Sequence, residues 1–227
     1  MGRNIQSHFT EWNSRQVFVF LLLFLFLFGG YANSEEIPDK AFFASEEADL
    51  TVHEVADWIV NSHDNKEMPF VIVDKKQAKI FVFRKEGLII AASPALIGQA
   101  IGDYSFPGVG DKKLSDIKPY ERTTPAGKFL ARRGLNLDGS EVIWIDFDTA
   151  LAIHPVSNNP KKHNLLRLSS SSSKEKRSTL GCVTVTKDFY ISIISPLFAH
   201  GNGLVYILPE TTPASEFFKI QLKKSNS

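Results

Sequence analysis

The sequence predicts a mainly β domain, a sandwich or barrel-like sheet with a short N-terminal helix and one helix after the only cysteine. Three observations carry this. From Phe70 onward, short runs rich in Val, Ile and Phe alternate with tight turn signals. Only two stretches show helical periodicity. Long connections dense in Gly, Pro and charge separate the strand blocks, as in antiparallel β architectures.

In chain order, residues 1–32 read as a secretory signal peptide. Arg3 and Arg15 precede an unbroken apolar run, Val17 to Phe28, and "GGYANS" follows with small residues at Gly30 and Ala32. The run falls short of the ~20 residues needed to span a bilayer, so cleavage near Ala32 is expected. The chain is then exported to the periplasm, or anchored in the inner membrane if the leader stays attached, and it meets the membrane only through this segment. Residues 33–68 form an acidic lead-in ending in a short helix, "TVHEVADWIVNSH". Its Thr51 and Glu54 have capping-box spacing, and Val52, Val55, Ala56 and Ile59 share one face.

Residues 69–222 are expected to form one domain around a single core, with 223–227 as a tail. "FVIVDKKQAKIFVFRKEGLIIAASPALIG" reads as three strands with turns at Asp74–Lys76 and Lys85–Gly87. A second block supplies "GKFLARRG", "SEVIWIDFD" and "ALAIHPV", with Trp144 assigned to the core. The intervening "GDYSFPGVGDKKLSDIKPYERTTPAG" is an irregular surface loop. The serine run Ser169–Ser173 is of low complexity and expected to be mobile. After the cysteine, Phe189, Tyr190, Ile193, Ile194 and Leu197 have helical spacing, and "LVYILPE" makes a final strand.

Composition narrows the function. Of 227 residues 43% are hydrophobic and 22% charged, enough for a real core. Lys+Arg 26 against Asp+Glu 25 leaves a net charge of +1, which gives no electrostatic footing for nucleic acid. A single cysteine forms no internal disulfide, and a leftover thiol in an exported chain points to an intermolecular bridge or a reactive group.

Cys182 sits in "RSTLGCVTVT". A cysteine nucleophile needs a base, because a free thiol with a pKa of ~8.5 is mostly protonated at neutral pH. His154 ends the apolar stretch "ALAIHP", where a core strand holds a side chain firmly. His163, in the charged loop "PKKHNLL", lies nearer the cysteine in sequence and stays open as the alternative base. Gly181 permits a positive φ or a close approach, and a turn there can aim N–H groups at one spot as an oxyanion site needs. Thr179 steadies that turn or the histidine. Arg167 and Arg177 are candidates for meeting a carboxylate, or simply solvated charges. Asp146 and Asp148 either orient the histidine or face solvent.

"TLGCVTV", preceded by "IHP" and "TTPAGKF", resembles the L,D-transpeptidase (YkuD-type) catalytic domain over roughly Pro69 to Glu210. The opening hairpin and "FYISIISPLF…GLVYILPE" fit an exported subgroup of that family. The resemblance implies Cys182 as nucleophile, His154 as general base, Gly181 and Thr179 shaping the oxyanion turn, and no metal or cofactor. Its partner is a peptidoglycan stem peptide, cut at the meso-diaminopimelate–D-alanine bond and passed to an amine. Cell wall remodelling and cell shape are the processes this serves. Three departures stand out. Leu180 replaces the usual histidine, Pro155 the usual glycine, and Thr184 the usual Arg or Asn, which alters the contact with substrate expected of Thr184. Hydrolysis on the same scaffold and non-catalytic wall binding remain alternatives, and the sequence leaves the oligomeric state open.

Overall fold

The structure, a computed structural model, describes residues 40–157 and 163–220. The leader and the tail proposed from sequence lie outside the described residues. Among the described residues no helix is long and apolar enough to cross a membrane.

Helix α1 (Leu50–Ser62) buries Val52, Val55, Ala56, Ile59 and Val60, the stripe its periodicity predicts. The expected capping box does not form. The helix starts one residue earlier, behind Asp49, whose side chain makes no cap bond. Its carboxylate accepts from Gln77 Nε2 at 3.0 Å, so it ties the helix start to a strand turn instead. Left-handed His63 (φ 53°) ends the helix, its N–H on Ile59 O and Val60 O.

The three opening strands fall where the sequence places them: β1 (Phe70–Asp74), β2 (Lys79–Phe83) and β3 (Ile89–Pro94). A two-residue β4 (Ile97–Gly98), not anticipated, follows directly. After the long loop come β5 (Gly127–Leu135), β6 (Glu141–Asp146) and β7 (Leu151–Pro155), then a short helix α2 (Asn164–Ser169). Two further short strands, β8 (Arg177–Thr179) and β9 (Val183–Val185), flank the cysteine. Beyond it, Lys187–Phe189, the π-helical Tyr190–Ile194 and Ser195–Leu197 run on as one helical stretch, α3. β10 (Gly203–Ile207) and a last turn of helix, α4 (Ala214–Phe217), close the described chain.

Eight strands form one sheet in the order β3-β2-β1-β10-β5-β6-β7-β9. Its ends nearly meet. Leu96, just past β3, exchanges backbone hydrogen bonds with Thr184 of β9 at 2.7 and 2.8 Å, curling the sheet into a barrel-like form. β4 and β8 pair separately, in parallel.

Alternation along the strands divides the core in two. Val71, Val73, Ile80, Val82, Ile143, Ile153, Val183, Val185 and Val205 pack on one side with Tyr190, Ile194 and Phe198. Phe70, Ile72, Phe81, Phe83, Leu204 and Tyr206 pack on the other with α1 and Phe43. Strands buried on both faces explain why "FVIV" and "KIFVF" read as continuous apolar runs. Each fully buried Phe or Ile contributes roughly 1.5–3 kcal/mol. The core therefore reaches back past Pro69 to Phe43, and α1 is part of it. Trp144 is half-buried rather than core, its ring lying over Gly134 and edge-on to Phe147. The serine run supplies the end of α2 and a turn in which Ser172 N–H donates to Ser170 Oγ at 3.0 Å.

Candidate active site around Cys182

The decisive pairing is between β7 and β9. The two strands run parallel, with Ile153 opposite Val183 and His154 opposite Thr184. Ile153, Val183 and Val185 fill the core, which sends His154 and Thr184 to the other face. Cys182 immediately precedes β9, two residues before Thr184.

The thiol lies at the start of β7. Its Sγ donates to Ala150 O at 3.4 Å. Burial pushes the Cys182 pKa up from its ordinary value, opposed by the Ala152 amide. Because a carbonyl only accepts, the bond to Ala150 O places the proton on sulfur. Ala150 itself is left-handed (φ 55°), a conformation uncommon for a residue with a Cβ. It closes a turn in which Asp146 accepts from Asp148 N–H and from Thr149 Oγ1 at 2.7 Å. Asp146 thus shapes the turn under the thiol, and the partner that orients His154 is a backbone carbonyl.

That carbonyl is Pro155 O, 2.9 Å from His154 Nδ1. A carbonyl only accepts, so Nδ1 carries the proton and Nε2 is the basic nitrogen. Nε2 lies 3.3 Å from Thr184 Oγ1, which donates to it. Pro155, where the resemblance has glycine, still offers its carbonyl to the imidazole. His163 instead heads α2, exposed and left-handed (φ 47°).

The nucleophile turn is pinned on both sides. Thr179 Oγ1 donates to Cys182 O at 2.7 Å and accepts from Gly181 N–H at 3.2 Å. Gly181 has φ +143°, and a Cβ there would lie 3.0 Å from Thr123 O, so glycine is required by space and by backbone. Buried Thr124 donates to Gly181 O at 2.6 Å and accepts from Gly98 N–H at 2.7 Å. It joins the "TTPAG" loop, β4 and the turn through one hydroxyl. In the sequence this loop stood out only as the "TTPAGKF" of the family resemblance.

Two residues expected at the substrate are engaged inside the protein. Thr184 is 2% exposed and faces the imidazole. Arg177 pairs with Glu210 and donates to Lys75 O and Ala100 O, each at 3.3 Å. Around it, Lys75 Nζ bonds Gly102 O at 2.6 Å and Asp103 Oδ1 at 3.0 Å. Burial opposes ionisation of Asp103, but the Thr211 hydroxyl, the Glu210 amide and Lys75 outweigh it and hold its pKa below the carboxylate range. This buried tetrad escaped the sequence reading, which took Lys75 and Asp103 for turn and loop residues. Arg167 is exposed, donating to Glu175 O at 3.0 Å. Among the described residues no cluster of His, Cys, Asp or Glu is arranged to hold a metal ion.

No family model and no curated protein matches the chain. Solved structures do. The helical cell shape determining protein Pgp2 of Campylobacter jejuni, in a single-site variant, is 13% identical over 73% of this chain and 58% of that one, with a TM-score of 0.42. The L,D-transpeptidase of Xylanimonas cellulosilytica is 15% identical over 62% and 60%, at 0.37. A cysteine-to-serine variant of the Enterococcus faecium L,D-transpeptidase is 17% identical over 63% and 50%, at 0.35. The chain spans from 50% to 60% of the length of these structures. Individual residue roles rest on this chain's own geometry.

Proposed function

We propose that this chain is an exported, cysteine-dependent L,D-transpeptidase acting on peptidoglycan stem peptides. What supports the reading is the parallel β7–β9 pair, which registers His154 against Thr184, two residues from Cys182, together with the hydrogen bond that leaves His154 Nε2 as the basic nitrogen. His154 Nε2 takes the thiol proton. The thiolate attacks the carbonyl of the meso-diaminopimelate–D-alanine bond, and the C–N bond breaks as the imidazolium returns the proton to the leaving D-alanine amine. The resulting thioester is opened by an amine of a second stem or of a protein, whose proton passes to Nε2 and then back to the sulfur. Gly181, held by Thr179 and Thr124, fixes the turn that faces the developing oxyanion. No step requires a metal or cofactor. Arg177 supports this frame through Glu210, and Thr184 acts on the base instead of the substrate.

Incubating the purified chain with a disaccharide tetrapeptide tests the reading. Release of D-alanine with crosslinked dimers, both lost in Cys182→Ala, is the expected result. Neither product from the unaltered chain would reject it. A non-catalytic wall-binding domain is the second reading, favoured by the protonated thiol bonded to Ala150 O. It predicts stem-peptide binding unaffected by Cys182→Ala and no turnover.

A further inference from the structure

Each half of the proposed proton transfer is bonded to a third party. The thiol donates to Ala150 O, and the basic nitrogen of His154 accepts from Thr184. Thr184 cannot easily drift from that role. Its backbone is clamped to Leu96 on one side by bonds of 2.7 and 2.8 Å, and it is registered against His154 on the other. A β-branched side chain on such a backbone has little χ1 freedom.

We propose that Thr184 is a positioning residue that keeps the resting site silent, its hydroxyl occupying the Nε2 lone pair until substrate enters. This rests on Cys182 and His154 being nucleophile and base. A hydrogen bond donated to the neutral imidazole favours the neutral form and lowers its basicity. The thiol then stays protonated on Ala150 O, and an exported thiol is shielded from oxidants and stray electrophiles, which react with thiolate. Substrate binding beside the turn would offer the hydroxyl proton another acceptor, so that the O–H bond rotates while χ1 stays fixed and the lone pair is released as the scissile carbonyl arrives. Where the resemblance expects Arg or Asn at this position, threonine supplies a short donor aimed at the base.

The test is the rate of Cys182 alkylation by iodoacetamide against pH in the full chain, for wild type, Thr184→Val, Thr184→Ser and His154→Ala. Valine keeps the shape and removes the donor. It is expected to speed alkylation at neutral pH about tenfold, the worth of roughly one hydrogen bond, and to move the profile to lower pH. Serine should bring the rate back towards wild type. In a His154→Ala background, Thr184→Val should change nothing. Valine alkylated at the wild-type rate or slower, with the fold intact by circular dichroism, overturns the proposal. If His154→Ala alone leaves alkylation unchanged, the nucleophile–base reading itself fails, whatever Thr184 does.

Discussion

Two polar clusters sit on either side of the nucleophile turn, and they are built to opposite specifications. The tetrad of Lys75, Asp103, Arg177 and Glu210 is neutral in sum, almost wholly buried, and built from full charges with several partners each, at 2.6–3.0 Å around Lys75 and Asp103 and at 3.3 Å from Arg177 to Lys75 O and Ala100 O. It stitches the end of β1, the long loop, β8 and the chain after β10. The Cys182 and His154 contacts run between neutral groups instead, 3.4 Å from sulfur to Ala150 O and 3.3 Å from Thr184 to Nε2. Opposed charges with several partners each make a frame. Neutral bonds to exchangeable partners leave a site able to rearrange.

The comparison is broken most severely from the frame side. Asp103→Ala leaves the buried cations Lys75 and Arg177 with Glu210 as the one remaining carboxylate of the tetrad, and removing one partner of a buried ion pair costs about 3–5 kcal/mol. Urea unfolding should show it as a lower midpoint with an unchanged slope. The same carboxyl gives a pH signature. Its folded pKa lies below the unfolded value of about 3.9, so the unfolded chain takes up the proton first. Its stabilisation is intact above that value and drains away as pH falls through the folded pKa. Wild type should therefore lose stability on acidification more steeply than Asp103→Ala.

Gly181→Ala strikes the join between the two regions. With φ at +143° and Thr123 O in the way, it should cost about 1–3 kcal/mol and slow acylation, because the turn cannot keep its shape. At the small end, Thr51→Ala removes a cap that never forms. It should alter the melting free energy by less than about 0.5 kcal/mol.

How much of this the sequence disclosed follows from how local each feature is. The β1–β3 meander, α1 and the helical stretch after Cys182 were legible because their periodicity lies within a few neighbouring residues. His154 and Cys182 were legible as types, one ending a core strand and the other beside a glycine. The parallel pairing that sets His154 opposite Thr184, two residues from the cysteine, was not, since parallel register joins residues far apart in the chain. Thr184 looked like a substrate contact because nothing local shows which side chain its hydroxyl meets. Lys75 and Asp103 looked like turn punctuation because a buried ion network is defined only once distant loops converge. Asp49, not Thr51, stands at the start of α1, and its carboxylate is drawn to the strand turn at Gln77 without making a cap bond.

The central claim is that His154 is the base for Cys182, and one measurement reaches it directly: intact-mass time courses of the full chain with a carbapenem, for wild type and His154→Ala. The account predicts one covalent adduct, mapping to Cys182, formed at least about a hundredfold more slowly without the imidazole, with both proteins equally stable. Equal rates in the two proteins, or an adduct on any other residue, would contradict it.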